Sequence, residues 1–244
     1  MNSLDSGTRV IVALDFDSAA QARELVARLG AAAQAFKVGL QLLTADGPQI
    51  VSELITAGKE VFLDLKLLEI PNSVTGAVAA AGRLGASMVT VHAFGGSKVL
   101  RAAVEAARPF PQLKVLGLTV VTSMRDEDLN EIGVSATVRE QVVRLARLAV
   151  QAGAHGVVAS PEEASLLRDV IPPDALIVTP GVRLQGDDSR DQARVATPAE
   201  AIRAGATHLV IGRPITRSPN PVEAFAVARA QVASALVRGA RGSG

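Results

Sequence analysis

Asp64 and Lys66 stand two residues apart at the end of the apolar run Val61-Phe62-Leu63-Asp64-Leu65-Lys66. In a strand, alternate side chains share a face, so Phe62, Asp64 and Lys66 point one way and Val61, Leu63 and Leu65 the other. A half-buried strand turns its polar groups to water. Here the outward-packing face is wholly aliphatic, and the opposite face ends in a carboxylate beside an ammonium. Such a pair can hold charge and move a proton at one fixed place. Glu69 follows in the loop, just before Pro71 opens a helix. Neighbouring apolar runs also end in ionisable groups: Asp15 the first, Lys37 the second and His92 the fourth. Any one of them alone has the character of a helix cap or a turn former. Four charges of alternating sign, Asp15, Lys37, Asp64 and Lys66, on three consecutive runs are harder to dismiss. A buried ion network often costs as much in desolvation as it returns, so function accounts better for their presence.

A second signal is independent of the first. Thr179-Pro180-Gly181-Val182-Arg183 and Ile211-Gly212-Arg213-Pro214 each set a glycine close to an arginine. Glycine lets backbone N–H groups approach an anion, and the guanidinium adds a cationic fork. Solvated loop arginines are the competing explanation. Thr119 closes the fifth run and Thr122 follows it. His92 is read as a core hydrogen-bonder, and His155 and His208 as structural. Ser123 and Ser160 have no evident histidine partner and no G-x-S-x-G elbow exists, so serine hydrolysis has little support.

Eight short apolar runs must position these groups, at residues 10–15, 35–38, 61–66, 88–92, 114–119, 156–159, 176–179 and 208–211. They are β-branched and bounded by Gly, Asp or Pro, as strands buried on both faces are. Amphipathic stretches alternate with them, at 18–29, 48–57, 71–84, 98–107, 136–152, 161–170, 197–204 and 221–237. Gly58, Gly85, Gly153 and Gly205 close four of these helices. Eight strand-then-helix units predict an α/β protein: a single-domain closed (β/α)₈ TIM barrel. An open doubly wound sheet is the alternative, weakened by the lack of G-x-G-x-x-G after the first strand. Residues 1–8 then form an N-terminal arm, 9–237 the barrel and 238–244 a disordered tail. In this fold the site lies at the C-terminal ends of the strands, with phosphate held after strands seven and eight. Both signals fall there.

Composition removes several function classes. Of 244 residues, 25 are Lys or Arg and 24 Asp or Glu, so no global charge points to nucleic acid or a membrane surface. The only aromatic residues are six Phe, few rings for base stacking. There is no cysteine, hence no disulfide, thiolate metal site or cysteine nucleophile. Three well-separated histidines do not suggest a multi-histidine zinc site. Without a signal-peptide core or a run near the ~18 residues of a membrane span, a cytoplasmic protein is expected.

The motifs, taken in order, resemble the bacterial orotidine 5′-phosphate decarboxylase family. They are Val12-Ala13-Leu14-Asp15, Phe36-Lys37-Val38-Gly39, Asp64-Leu65-Lys66 running into Ile70-Pro71-Asn72-Ser73, and Val91-His92-Ala93 before Gly95-Gly96. Leu118-Thr119-Val120-Val121-Thr122-Ser123-Met124, the two glycine–arginine loops and Asp191-Gln192-Ala193-Arg194-Val195 complete them. The resemblance runs from Arg9 to about Val232 and rests on all of these in one order.

It implies a cofactor-free decarboxylase of orotidine 5′-phosphate in which Lys37, Asp64 and Lys66 form the charged network and Lys66 donates the proton. It implies further that Asp15 holds a ribose hydroxyl, Lys37 also contacts substrate and Thr122 meets the pyrimidine. Arg183, Gln192, Gly212 and Arg213 would hold the phosphate, with Gln185 competing for the place of Gln192 and residues 185–191 forming a mobile lid. The family pattern is Asp-x-Lys-x-x-Asp, whereas this chain has Glu69 at the last position. That position, beside Ser73, implies a homodimer with shared active sites. Other readings are a magnesium-dependent keto-sugar-phosphate decarboxylase of the same superfamily, a sugar-phosphate epimerase or isomerase, and a non-catalytic nucleotide-binding barrel.

Overall fold

Eight short strands, rich in Val, Ile and Leu and buried for most of their length, run parallel and close into a barrel in sequence order. They are β1 (Val10–Ala13), β2 (Ala35–Gly39), β3 (Glu60–Leu67), β4 (Met88–His92), β5 (Lys114–Leu118), β6 (Gly156–Val158), β7 (Leu176–Thr179) and β8 (His208–Ile211). The structure is a computed structural model that describes residues 8–184 and 196–241. The helices are α1 (Ala19–Leu29), α2 (Leu40–Asp46), α3 (Gln49–Thr56), α4 (Pro71–Leu84), α5 (Gly96–Ala107) and α6 (Asp126–Glu131). They continue with α7 (Val138–Gln151), α8 (Pro161–Arg168), α9 (Pro198–Arg203), α10 (Arg213–Thr216) and α11 (Pro221–Arg241).

All eight expected strands and all eight expected helices are present, and the fold is the single-domain TIM barrel. Three short helices go beyond that expectation. α2 starts directly after Gly39 at the end of β2, α6 is an acidic turn after β5, and α10 is one turn that opens with Arg213 and Pro214. α11 runs through residue 241, so 238–241 continue a helix where a disordered tail is expected; residues 242–244 lie outside the described residues. Apart from Thr8, the N-terminal arm lies outside them as well. Among the described residues no helix is long and apolar enough to cross a membrane.

Alternation divides the core in two. Ile11, Ala13, Ala35, Phe62, Met88 and Leu116 belong to the cluster inside the barrel. Their strand neighbours Val10, Val12, Phe36, Val61, Leu63, Val89 and Val115 join the larger cluster under the helices. The division makes the barrel a filled core rather than a pore.

His208 opens β8 at the opposite end from the strand-end charges and is buried at 7% exposure. Its Nδ1 lies 3.0 Å from Thr207 Oγ1. Burial, and secondarily the charge of Arg9, lowers its pKa from 6.5 to about 4. The unfolded chain therefore takes up a proton near 6.5, where the folded chain still excludes it. The resulting stability is fully present above pH 6.5 and is lost as pH falls from 6.5 toward 4, on the order of 3 kcal/mol in all. Thermal midpoints of wild type and His208→Leu between pH 7.5 and 4.5 check this. Wild type should lose more of its midpoint than the variant; parallel curves would remove His208 from the acid response.

Candidate active site

The inner columns of the barrel become polar as they rise to its mouth. Lys37 lies opposite Ala13 on one side and Phe62 on the other, and Gly39 opposite Asp64. Asp15 stands just past the end of β1. These positions join the charges into one chain. Lys37 Nζ is 2.7 Å from Asp15 Oδ1 and 3.9 Å from Asp64 Oδ2, and Lys66 Nζ is 2.6 Å from the same Asp64 oxygen. Asp64 is thus shared between two ammonium groups, with its side chain only 13% exposed. Lys37 and Asp64 form the buried pair, their side chains 10% and 13% exposed, and removing one partner of such a pair costs about 3–5 kcal/mol.

The remaining Asp64 oxygen, Oδ1, accepts a hydrogen bond from Thr90 Oγ1 at 3.0 Å. The same hydroxyl accepts the backbone N–H of Lys66 at 2.8 Å. Lys66 is the only non-glycine residue at positive φ (49°) among the described residues. A left-handed conformation costs a side-chain-bearing residue about 1–2 kcal/mol. It falls where the pairing of β3 with β4 is irregular: Leu63 lies opposite Val89 and Leu67 opposite Val91, so residues 63 to 67 span only 89 to 91. Bulges of this kind re-aim a side chain at the rim of a barrel.

Gly39 keeps the space beside the network open. A Cβ at that position would lie 3.2 Å from Lys37 Nζ and 3.4 Å from Asp15 Oδ1, so any side chain would press on that ion pair. His92 ends β4 with its ring edge-on to Phe94 at 5.3 Å. Burial, and secondarily the charge of Lys66, holds its pKa below the usual imidazole value. Its buried Nδ1 has no hydrogen-bond partner among the described residues. His92 thus packs by its ring and is not the core hydrogen-bonder expected from sequence. His155 fits its structural reading, its Nδ1 accepting the Val115 N–H at 3.1 Å.

A cavity of about 660 Å³ joins the network to the second signal: Asp15, Lys37 and Asp64 line it along with Arg183, Gly212 and Arg213. That volume is within the usual range for small-molecule sites. Arg183 follows β7 in a loop turned by Gly181 at φ 80°. Its Nε is buried and meets no hydrogen-bond partner among the described residues. Arg213 is the first residue of α10, directly after Gly212. Asp17 and Arg217 also line the cavity and were not singled out from sequence.

Other expected residues lie apart. Thr122 is half-buried in the segment after β5, outside the cavity lining. Glu69, in the loop after β3, and Ser73, in the first turn of α4, are exposed and outside it too. Leu68 and Ile70 flank Glu69 at 57% and 61% exposure. Gln192, its competitor Gln185 and the lid expected at 185–191 lie outside the described residues. Among the described residues, no group of three or more His, Asp or Glu side chains is arranged to hold a metal ion.

Barrel enzymes assemble their chemistry from the loops at the C-terminal ends of the strands, and the charges described here gather at that end. The class is therefore a (β/α)₈-barrel enzyme. More particularly, the chain matches the Orotidine 5'-phosphate decarboxylase / HUMPS family over residues 8–227 and belongs to that family. It is 49% identical over 228 residues to the orotidine 5'-phosphate decarboxylase of Nitrosomonas europaea, covering 93% of this chain and 98% of that protein. It is 48% identical over 231 residues to the one from Moorella thermoacetica, covering 92% of each. The crystal structure of orotidine 5'-phosphate decarboxylase from Lactobacillus acidophilus superposes with a TM-score of 0.82 at 34% identity, covering 92% of this chain and 99% of that one.

Proposed function

We propose that this protein converts orotidine 5′-phosphate to uridine 5′-phosphate and carbon dioxide in pyrimidine biosynthesis, without a cofactor. The observation that carries the proposal is the Lys37–Asp64–Lys66 network, whose Lys37 and Asp64 line the same cavity as Arg183 and Arg213. As the bond from C6 to the carboxylate breaks, its electron pair stays on C6 in the plane of the ring, where the π system delocalises it poorly. An ammonium held at that point stabilises the developing charge and then transfers its proton to C6. Lys66 Nζ has that role. Asp64 orients it and lies near the leaving carboxylate. Preorganised charge of this kind works best with water excluded.

The remaining roles are those the family resemblance implies. Asp15 takes a ribose hydroxyl, and Lys37 links that contact to the network. Thr122 meets the pyrimidine. Arg183, Gly212 and Arg213, together with Gln192, hold the phosphate. The phosphate is remote from C6, and its binding energy serves closure and desolvation. Glu69 and Ser73 reach the active site of a second copy, in a cytoplasmic homodimer with shared sites. The exposed apolar Leu68 and Ile70 on either side of Glu69 support that contact.

Following the ultraviolet loss of orotidine 5′-phosphate with EDTA present tests the reaction. Turnover should be unaffected by the chelator. Loss restored by magnesium would move the assignment to the keto-sugar-phosphate branch, and no turnover under any condition would leave a binding protein.

Arg213→Ala should weaken use of the phosphorylated substrate far more than use of the phosphate-free nucleoside. A hydrogen bond to a charged group is worth roughly 1.5–3 kcal/mol, or about 10- to 150-fold in kcat/KM, and only the phosphorylated substrate loses it. Equal losses on both substrates would put the phosphate elsewhere.

A further inference from the structure

We propose that Thr90 is a positioning residue for the proton donor, an inference that rests on the decarboxylase reading and deepens it. Thr90 lies on β4 between Val89 and Val91, the two residues that pair with Leu63 and Leu67 of β3. Those pairs leave the intervening stretch of β3, which contains Asp64 and Lys66, without a regular register against β4. At 0% exposure, the Thr90 hydroxyl fills the gap. Its oxygen accepts the Lys66 backbone N–H at 2.8 Å, and its proton goes to Asp64 Oδ1 at 3.0 Å. A hydroxyl has one proton to give and lone pairs to accept with, so one group serves both contacts with the polarity each requires.

Two consequences meet at Lys66. The bond to its N–H fixes the backbone where φ is 49°. The bond to Oδ1 orients the carboxylate so that Oδ2 faces Lys66 Nζ at 2.6 Å. Thr90 does not itself line the cavity. It acts through the backbone of one network member and the side chain of the other.

Thr90→Val keeps the shape and removes both hydrogen bonds; Thr90→Ser keeps the hydroxyl and removes a methyl. With orotidine 5′-phosphate as substrate, T90V should lose about 10- to 100-fold in kcat, as small misplacements of catalytic groups do. Its KM and its affinity for uridine 5′-phosphate should stay within about twofold, and T90S should recover most of the lost kcat. Unchanged kcat in T90V, or equal losses in T90V and T90S, would overturn the proposal. A crystal structure of T90V supplies a readout that does not depend on the reaction. Lys66 should leave positive φ and its Nζ should separate from Asp64. Retention of both features would overturn the positioning role even if wild type proved inactive on this substrate, an outcome that would sink the decarboxylase reading separately. Should T90V fail to fold, T90A takes its place against T90S with the same two readouts.

Discussion

Lys66→Ala should reduce turnover by more than about 10⁴-fold while leaving the fold and the affinity for uridine 5′-phosphate largely intact. A positioned general acid alone contributes about 10²–10⁴, and fixed charge aimed at a developing anion adds about 10²–10³. In the proposed mechanism Lys66 supplies both, first as a cation beside C6 and then as the source of its proton. Its loss does not strip Asp64 of all compensation, because Lys37 Nζ remains 3.9 Å from Oδ2 and Thr90 holds Oδ1. The Lys66 side chain is also 38% exposed, so its removal opens little of the core. Single-turnover kinetics, product binding by calorimetry and a thermal melt separate these effects. A variant that keeps a tenth of wild-type turnover would show that Lys66 is not the central group.

Mixing inactive Lys66→Ala with inactive Glu69→Ala should restore activity. In the proposed dimer each site takes Lys66 from one chain and Glu69 from the other. A mixed dimer therefore gathers both defects in one site and leaves the other complete. With free exchange roughly half the dimers are mixed, and one intact site in each returns up to about a quarter of wild-type activity. The exposure of Glu69 and Ser73 outside their own cavity lining is what this arrangement needs. Should Glu69→Ala be inactive alone, and should dimers shown to exchange subunits stay inactive, Glu69 acts within its own chain and the shared site is wrong. This experiment also addresses the extra methylene of Glu69 relative to the family aspartate. Complementation by Glu69→Ala and full activity of Glu69→Asp would together show that the carboxylate, not its reach, is what the neighbouring site requires.

Barrel architecture was legible because buried parallel strands and their covering helices leave different periodicities, and glycines mark several of the joins. The same alternation brought Asp64 and Lys66 to one face, and loop position brought Arg183 and Arg213 to one mouth. Local chemistry at the strand ends was less visible. Nothing in Asp64-Leu65-Lys66 announces that Lys66 adopts positive φ, because the irregularity arises from pairing with β4, a contact between residues far apart in sequence. Thr90 went unremarked for the same reason, although its spacing two residues from His92 puts it on the inward column. Gly39 had a comparable signal, two residues beyond Lys37. α2, α6 and α10 run for seven, six and four residues, too few for a 3.6-residue period to stand out. Sequence alone suggests a hydrogen bond for His92, which shares a strand face with Thr90, whereas the aromatic contact comes from Phe94 in the turn that follows.

The charge chain at the strand ends has a consequence for how an anion arrives. Asp15, Lys37, Asp64 and Lys66 are two negative and two positive groups in contact or nearly so, and beyond a few ångströms their fields largely cancel. Arg183, Arg213 and Arg217 share the cavity with one further carboxylate, Asp17, so among the described residues the long-range attraction comes from their end. A doubly charged phosphate approaching through salt solution feels that excess before it feels the lysines, whose pull is confined by neighbours of opposite sign. On the proposed function, capture and chemistry would be separated in space: the arginines would recruit the substrate by its phosphate, and the balanced quartet would act at the base. Ionic strength would then govern the rate of encounter while leaving the chemical step nearly untouched.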